Sequence, residues 1–255
     1  MTFAVSVILP VYNEELVARV VCEEVSAFAD AHLEYRFIFV DDGSTDRTML
    51  ILEQSIPDSL RDRVIVIGHA INRGKGYAIR QGFRHATGFA VILMDGDLAY
   101  SLQLLPAFVD NLGHADAVLG VRSRTDARNF RRRILGLGFH QIARFMFAIN
   151  NRDTQAGIKG LTLKAAARVM PALTCSRFAF DVELIVALRT LNLSIKELEV
   201  KVEADHHGKP SHVRLIADSL QMLADLCRIK ILQCFGKYNR IDLCTRIGEH
   251  SQTGY

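Results

Sequence analysis

The stretch Phe89-Ala90-Val91-Ile92-Leu93-Met94-Asp95-Gly96-Asp97 runs six apolar residues directly into two carboxylates that one glycine separates. An apolar run this short favours a buried strand of a parallel sheet over a helix. Open α/β folds bind ligands beyond the carboxyl ends of such strands. Carboxylate oxygens suit Mg²⁺ and Mn²⁺, so Asp95 and Asp97 are candidate ligands for a divalent metal on a diphosphate. An ordinary turn is the alternative interpretation, since Asp and Gly are common turn residues.

Three earlier apolar runs also lead into polar or glycine-rich loops. These predicted strands cover residues 5–9, 35–40 and 64–67, and the loops after them contain residues 10–15, 41–46 and 72–76. Helical patterns separate the runs, so strand and helix alternate four times along this half of the chain. This alternation predicts an α/β fold with a mostly parallel central sheet and helices on both faces. The four strand ends then meet at one edge, where we expect the functional site.

Composition argues against several classes of function. The chain has 255 residues, 49% of them hydrophobic, and a net charge of +3, which does not indicate a nucleic-acid-binding protein. Its five cysteines form no CxxC pair, so we expect reduced thiols in the cytoplasm and no zinc site. No apolar run approaches the roughly 18 residues that span a bilayer, and no signal-peptide pattern opens the chain. The sequence lacks GxxxxGK[ST] and a GxGxxG after the first strand, which disfavours a P-loop ATPase and a Rossmann dehydrogenase.

An arginine-rich segment follows a predicted fifth strand at residues 117–120. Its members are Arg122, Arg124, Arg128, Arg131, Arg132 and Arg133. Clustered guanidinium groups repel one another without an anion nearby, and arginine grips phosphate with paired donors. We therefore expect a phosphate-binding role for at least one of them, with a solvated loop as the alternative.

Two later helical patterns have broad apolar sides. The first covers residues 132–149 and the second residues 213–232. The first is either a core helix or a helix in a membrane interface with its arginines toward lipid phosphates, and the second is a candidate for the same peripheral contact. The predicted organisation is a domain over residues 1–210, a C-terminal amphipathic helix over 211–236 and a polar tail over 237–255.

Taken together, the motifs resemble family 2 glycosyltransferases of the GT-A fold. In the first half they are Pro10-Val11-Tyr12-Asn13-Glu14, Val40-Asp41-Asp42-Gly43-Ser44, Asn72-Arg73-Gly74-Lys75-Gly76 and Asp95-Gly96-Asp97. Four motifs of the second half are similar to the branch with dolichyl-phosphate β-glucosyltransferase and dolichol-phosphate mannose synthase: Gly120–Arg124, Arg132–Leu135, Arg152–Lys159 and Phe180–Leu184. The resemblance covers Ser6 to Arg228.

The resemblance implies roles for ten residues. Nucleoside contacts of a UDP- or GDP-sugar are implied for Pro10, Tyr12, Glu14 and Asp41, with Asp42 alongside. Lys75 would lie near the base or diphosphate, and Asp95 and Asp97 would hold Mg²⁺ or Mn²⁺ on the diphosphate. Arg122 and Arg132 would clamp the acceptor's phosphate near the sugar, so Asp97, Arg122 and Arg132 are the implied catalytic residues.

The implied reaction is inverting transfer from a nucleotide-sugar to a polyprenyl or dolichyl phosphate on the cytoplasmic face of a membrane. An acceptor phosphate is already ionised and needs no general base. The alternative is a family 2 enzyme with a soluble or polysaccharide hydroxyl acceptor, which needs a base such as Asp153 or Asp181. A non-catalytic nucleotide-binding protein is less favoured, because Asp95 and Asp97 are both present.

The sequence departs from the family pattern at two positions. Ala99 stands where mannose synthases have a glutamine metal ligand, and Gly136 stands where the family often has serine. The first departure weakens the mannose interpretation and removes one protein ligand from the predicted metal site. The motifs leave UDP and GDP, and glucose, mannose and galactose, as open alternatives.

Overall fold

The computed structural model describes residues 3–123, 141–177, 179–202 and 215–239, and for residues 215–220 it describes the backbone. The strands are β1 (Val5–Val11), β2 (Tyr35–Asp41), β3 (Val64–Gly68), β4 (Ala90–Met94), β5 (Ala117–Arg122), β6 (Ile158–Thr162) and β7 (Ile195–Val200). The helices are α1 (Glu15–Ala31), α2 (Thr48–Ser55), α3 (Lys75–Phe83), α4 (Leu105–Leu112), α5 (residues 141–147), α6 (Leu163–Val169), α7 (Phe180–Thr190) and α8 (Leu215–Cys234).

All seven strands form one sheet in the order β3-β2-β1-β4-β6-β5-β7. The pairs β1–β2, β1–β4, β2–β3 and β5–β7 are parallel, which confirms the mostly parallel sheet predicted from the sequence. β6 is antiparallel to both β4 and β5, a reversal that the sequence analysis did not predict. Because Met94 pairs with Ile158, the start of β6 lies beside the end of β4, and the loop before β6 joins the edge with the strand ends.

The apolar run of β4 is buried on both of its sides. Val91 and Leu93 face a core that also contains residues of α3 and α7, whereas Ala90, Ile92 and Met94 face a second core with residues of α1, α2 and α4. A central strand of this kind needs apolar side chains in both directions, which explains the unbroken run. Helices on both faces are therefore confirmed.

Residues after α8 contribute to the core. Gly236, in the left-handed region at φ 68°, follows the helix in the manner of a helix C-terminal glycine. Tyr238 is fully buried, so the packed chain extends two residues into the predicted polar tail. Residues 240–255 of that tail and the predicted domain boundary at residue 210 lie outside the described residues. In the described ranges, every helix is too short or too polar to cross a bilayer.

Candidate active site

Asp95 lies at the end of β4 and is held by two loops. Its Oδ1 accepts a hydrogen bond from Lys75 Nζ at 2.5 Å, and its backbone N–H donates to the carbonyl oxygen of Gly157 at 3.0 Å. Burial would lower the pKa of Lys75, but the Asp95 and Asp181 carboxylates outweigh it and raise that pKa above its usual range. Lys75 therefore remains an ammonium group directly beside the predicted diphosphate site.

Glycine is required at position 157 because of its contact with Asp95. A Cβ atom at Gly157 would overlap the Asp95 carboxylate, with Oδ2 as the nearest atom. The Gly157 N–H donates to Tyr100 Oη at 3.1 Å, which fixes the loop against the end of β4. No role for Gly157 was predicted from its motif, because only the reversed β6 brings it to Asp95.

The donor set fits a metal that arrives with its nucleotide. Asp97 is half-buried, and its Oδ1 accepts the backbone N–H of Ala99 at 3.1 Å. Across the described ranges there is no group of three or more His, Cys, Asp or Glu residues that could hold a metal ion. One or two carboxylates completed by substrate phosphates and water are an ordinary Mg²⁺ site. Asp95 and Asp97 thus suit a metal that the diphosphate helps to hold.

The loops after β1 and β2 are tied together through Asp41. Its buried carboxylate accepts the Ser44 N–H at 3.1 Å and also the Ser44 hydroxyl. Ser44 Oγ in turn accepts the backbone N–H of Asn13 at 2.9 Å, and Asn13 Oδ1 accepts the Thr45 N–H at 2.8 Å. These bonds bring Asp41 close to the segment that carries the other predicted nucleoside contacts: Pro10, Tyr12 and Glu14.

Asp42 fixes the loop between β3 and α3. Its Oδ1 accepts the Arg73 N–H at 2.8 Å and lies 2.7 Å from His69 Nε2, and its Oδ2 accepts the Gly74 N–H at 2.7 Å. The side chain is only 5% exposed. Its place beside the nucleoside contacts was predicted; its engagement with the Lys75 loop was not. The sequence carried no local signal for it, because 31 residues separate Asp42 from Arg73.

Arg122 lies at the end of β5 in a two-pronged ion pair with Asp153. Arg122 Nε donates to Asp153 Oδ2 at 2.5 Å, and Nη2 donates to Oδ1 at 3.0 Å. Burial would raise the pKa of the Asp153 carboxyl, but the hydrogen bonds and charge of Arg122 outweigh it and hold that pKa below its usual range. The other predicted phosphate clamp, Arg132, lies outside the described residues.

A second, more deeply buried ion pair contacts the residue before Gly157. Lys159 Nζ donates to Asp181 Oδ1 at 2.8 Å and to the Ala156 carbonyl oxygen at 2.6 Å. Burial would raise the pKa of Asp181, but the ammonium groups of Lys159 and Lys75 outweigh it and hold that pKa below its usual range. Among the predicted site residues, the structure thus brings Lys75 to Asp95 and Asp42 to the Lys75 loop, and it places Arg122 on a separate carboxylate.

Comparison with known proteins agrees with this architecture. Dolichyl-phosphate beta-glucosyltransferase of Dictyostelium discoideum is 29% identical over 249 residues, which cover 91% of this chain and 75% of that protein. The protein of the same name from Mus musculus is 33% identical over 220 residues, which cover 78% of this chain and 67% of the mouse protein.

Among solved structures, glucosyl-3-phosphoglycerate synthase of Mycobacterium tuberculosis has a similar fold. Its UDP complex superposes with a TM-score of 0.68 at 21% identity, covering 89% of this chain and 80% of that protein. The same enzyme has also been crystallised with Mn²⁺, UDP-glucose and phosphoglyceric acid, and that complex gives a TM-score of 0.66. The GT-A fold predicted for this chain is therefore confirmed. The model of "Glycosyl transferase family 2" matches residues 6–170, and the chain belongs to that family of glycosyltransferases.

Proposed function

We propose that this glycosyltransferase moves a glucosyl residue from a nucleotide-sugar to the phosphate of a dolichyl or other polyprenyl phosphate. The relatives in mouse and Dictyostelium carry the name dolichyl-phosphate beta-glucosyltransferase and match most of the chain. Their name supports glucose as the sugar and a dolichyl phosphate as the acceptor. Comparing the turnover of UDP-glucose with that of GDP-sugars determines which nucleotide the sugar donor carries.

The observation that carries the proposal is that Asp153 and Asp181, the two carboxylates that could serve as a general base for a hydroxyl acceptor, are both held in ion pairs. Asp153 is paired with Arg122 and Asp181 with Lys159, and the pKa of each carboxyl lies below its usual range. A carboxylate with a lowered pKa is a poor acceptor for the proton of a hydroxyl group. An acceptor phosphate, with a second pKa of about 6, instead brings its own ionised oxygen to the reaction.

The reaction follows from these groups. An oxygen of the acceptor phosphate attacks the anomeric carbon of the sugar, and the bond from that carbon to the nucleoside diphosphate breaks on the opposite side, which inverts the anomeric configuration. Asp95 and Asp97 would hold the divalent metal, which when bound would offset the charge that develops on the leaving diphosphate. Lys75 adds a fixed positive charge next to Asp95, and Arg122 and Arg132 would bind the acceptor phosphate.

Exposed apolar side chains on α5 and α8 support a location on a membrane surface. Phe145 of α5 is 93% exposed and has the exposed Ile142 on the same helix, and Phe235, directly after α8, is 75% exposed and follows the exposed Ile231 of α8. Arg144 is also exposed on α5, where it can meet an anionic headgroup.

The two helices are neighbours, because Lys230 of α8 lies over the ring of Phe147 of α5 at 5.6 Å. We place this face on the cytoplasmic side of the membrane, as the reduced thiols predicted from the scattered cysteines suggest.

The first test of this function follows release of nucleoside diphosphate. Purified protein with Mg²⁺ or Mn²⁺ is given UDP-glucose, GDP-mannose or UDP-galactose, with and without a polyprenyl phosphate. We expect release from UDP-glucose only when the lipid is present, and we expect Arg132→Ala to abolish it while Arg61→Ala, at an exposed ion pair, leaves it unchanged. Release that requires a hydroxyl acceptor instead would favour the alternative acceptor class.

Membrane contact is tested separately with vesicles of phosphatidylcholine and phosphatidylserine at a ratio of about 3:1. Replacing both Phe145 and Phe235 with Ser is expected to weaken vesicle binding by about 100-fold, because each substitution removes an apolar side chain that membrane contact would bury. The matched control is Leu16→Ser, which removes an 81% exposed apolar side chain from α1. Equal losses in the control and the double variant, measured by co-sedimentation, would contradict the proposed membrane face.

A further inference from the structure

The amino end of α3 is packed tightly against the segment over residues 174–177. The Gly76 N–H donates to the Ser176 carbonyl oxygen at 2.8 Å, and Arg80 Nη1 donates to the Cys175 carbonyl oxygen at 2.6 Å. We call residues 174–177 the support loop.

Two glycines allow this close approach. A Cβ atom at Gly74, where φ is +95°, would overlap the Ser176 carbonyl oxygen, and one at Gly76 would lie 2.6 Å from the Cys175 carbonyl oxygen. Lys75 stands between these glycines and reaches Asp95. The support loop therefore fixes the backbone from which Lys75 extends.

Glu183 of α7 holds the support loop in turn. Its side chain is completely buried and accepts four hydrogen bonds. Three come from the support loop: Thr174 N–H at 2.8 Å, Thr174 Oγ1 at 2.8 Å and Cys175 N–H at 2.7 Å. The fourth comes from Tyr238 Oη at 2.9 Å, 55 residues away in the chain. Burial, followed by the charge of Glu183, raises the pKa of Tyr238, so its hydroxyl stays protonated and able to donate.

We propose that Glu183 and Tyr238 are positioning residues for Lys75, through which the segment after α8 keeps the backbone at Lys75 in place. Neither residue touches Lys75, and both act through the support loop. The ordering of the loop stands on these contacts alone, whereas its effect on the nucleotide-sugar rests on the proposed function. The segment after α8 thereby supports the donor site from a distance, although it follows the helix that we propose lies on the membrane surface.

The ordering is tested by amide hydrogen exchange on the protein without ligand. In Tyr238→Phe we expect the Gly76 and Tyr77 amides to exchange about tenfold faster, because the buried Glu183 loses one of its donors. The Thr162 amide, bonded to the Asp116 carbonyl oxygen at 2.9 Å, is the internal reference and should keep its rate. Tyr35→Phe is the matched control, since Tyr35 is also buried but begins β2 at the opposite edge of the sheet.

Kinetics then test the consequence for the donor. We expect Tyr238→Phe to raise the KM for the nucleotide-sugar by about tenfold and to leave the KM for the polyprenyl phosphate unchanged. Glu183→Gln, which keeps the side chain's shape and one carbonyl acceptor, should give a smaller rise than Glu183→Ala.

The outcomes separate the positioning role from the function. Unchanged exchange at Gly76 and Tyr77, in a variant with a lower Tm and normal donor KM, would show that Tyr238 only stabilises the fold and would overturn the proposal. Faster exchange at these two amides supports the positioning role even if no nucleotide-sugar is turned over, and that combination would refute the proposed function alone.

Discussion

Replacing Asp97 with Asn is expected to lower kcat for donor turnover by about 10²- to 10³-fold, the range seen when one electrostatic contact to developing charge is lost. The amide keeps the shape of the side chain and an oxygen that can accept the Ala99 N–H, which Asp97 Oδ1 accepts at 3.1 Å. It removes the negative charge with which the side chain would hold the metal on the leaving diphosphate. The fold is therefore retained while the charge stabilisation of the leaving group is lost.

Asp95 has structural contacts in addition to its predicted metal role. Asp95 pairs with Lys75 and lies against Gly157, so Asp95→Asn would release a partly buried ammonium group as well as remove a metal ligand. Asp58→Asn is a suitable control, because Asp58 is an exposed carboxylate before β3, at the opposite edge of the sheet. Retention of more than about a tenth of the wild-type kcat in Asp97→Asn would contradict a metal role for this residue.

Metal binding itself provides a second measurement. In the part of the chain that the structure describes, no group of three or more His, Cys, Asp or Glu residues could hold a metal ion. We therefore expect Mn²⁺ titrated alone to bind weakly and Mn²⁺ with a nucleoside diphosphate to bind far more tightly, because the phosphate oxygens complete the coordination shell. This cooperativity should disappear in Asp97→Asn.

The sequence alone predicted the parts of the fold that local patterns encode. The unbroken apolar run before Asp95 predicted a strand buried on both faces, and β4 is such a strand. The alternation of strands and helices predicted that the loops around Asp41 and Lys75 would join the same edge, and the contacts of Asp42 and Lys75 place them there. These inferences succeeded because hydrophobic periodicity and chain connectivity determine them.

Features that depend on contacts between distant residues were not predictable in this way. The reversal of β6, which pairs Met94 with Ile158, decides that Gly157 meets Asp95. No sequence pattern indicates that Tyr238 is buried, because a single aromatic residue in a polar segment is equally compatible with a solvated tail. The pairing of Arg122 with Asp153 likewise joins two residues that were considered separately, Arg122 as a phosphate clamp and Asp153 as a possible base for a hydroxyl acceptor.

Replacing Lys159 with Met is expected to lower the free energy of unfolding by about 3–5 kcal/mol at pH 7, the usual cost of removing one partner of a buried ion pair. The Lys159 side chain is 3% exposed and that of its partner Asp181 is 12% exposed, so water cannot replace the lost ammonium group. The Ala156 carbonyl oxygen loses a hydrogen bond as well. Urea denaturation, with the midpoint and slope compared with those of the wild type, measures the effect.

The pH dependence identifies the cause. In the wild type the pKa of Asp181 is lowered, so its contribution to stability is present above the unfolded pKa of about 3.9 and is lost as the pH falls through the folded pKa. Without Lys159, burial is expected to raise the folded pKa of Asp181 above the unfolded value. The folded variant then binds a proton more tightly than the unfolded chain, and its stability falls as the pH rises from about 4 through that raised pKa. The deficit relative to the wild type should be smaller at pH about 5 than at pH about 7.

A double substitution separates lost charge pairing from lost packing. Lys159→Met combined with Asp181→Asn leaves no unpaired buried charge, so it should recover most of the stability that the single Lys159→Met loses. A double variant no more stable than Lys159→Met, with a deficit that does not change with pH, would show that Lys159 contributes through its alkyl chain rather than its charge. Recovery of stability without recovery of turnover would further place the requirement for this ion pair at Ala156 and Gly157, the segment that lies against Asp95.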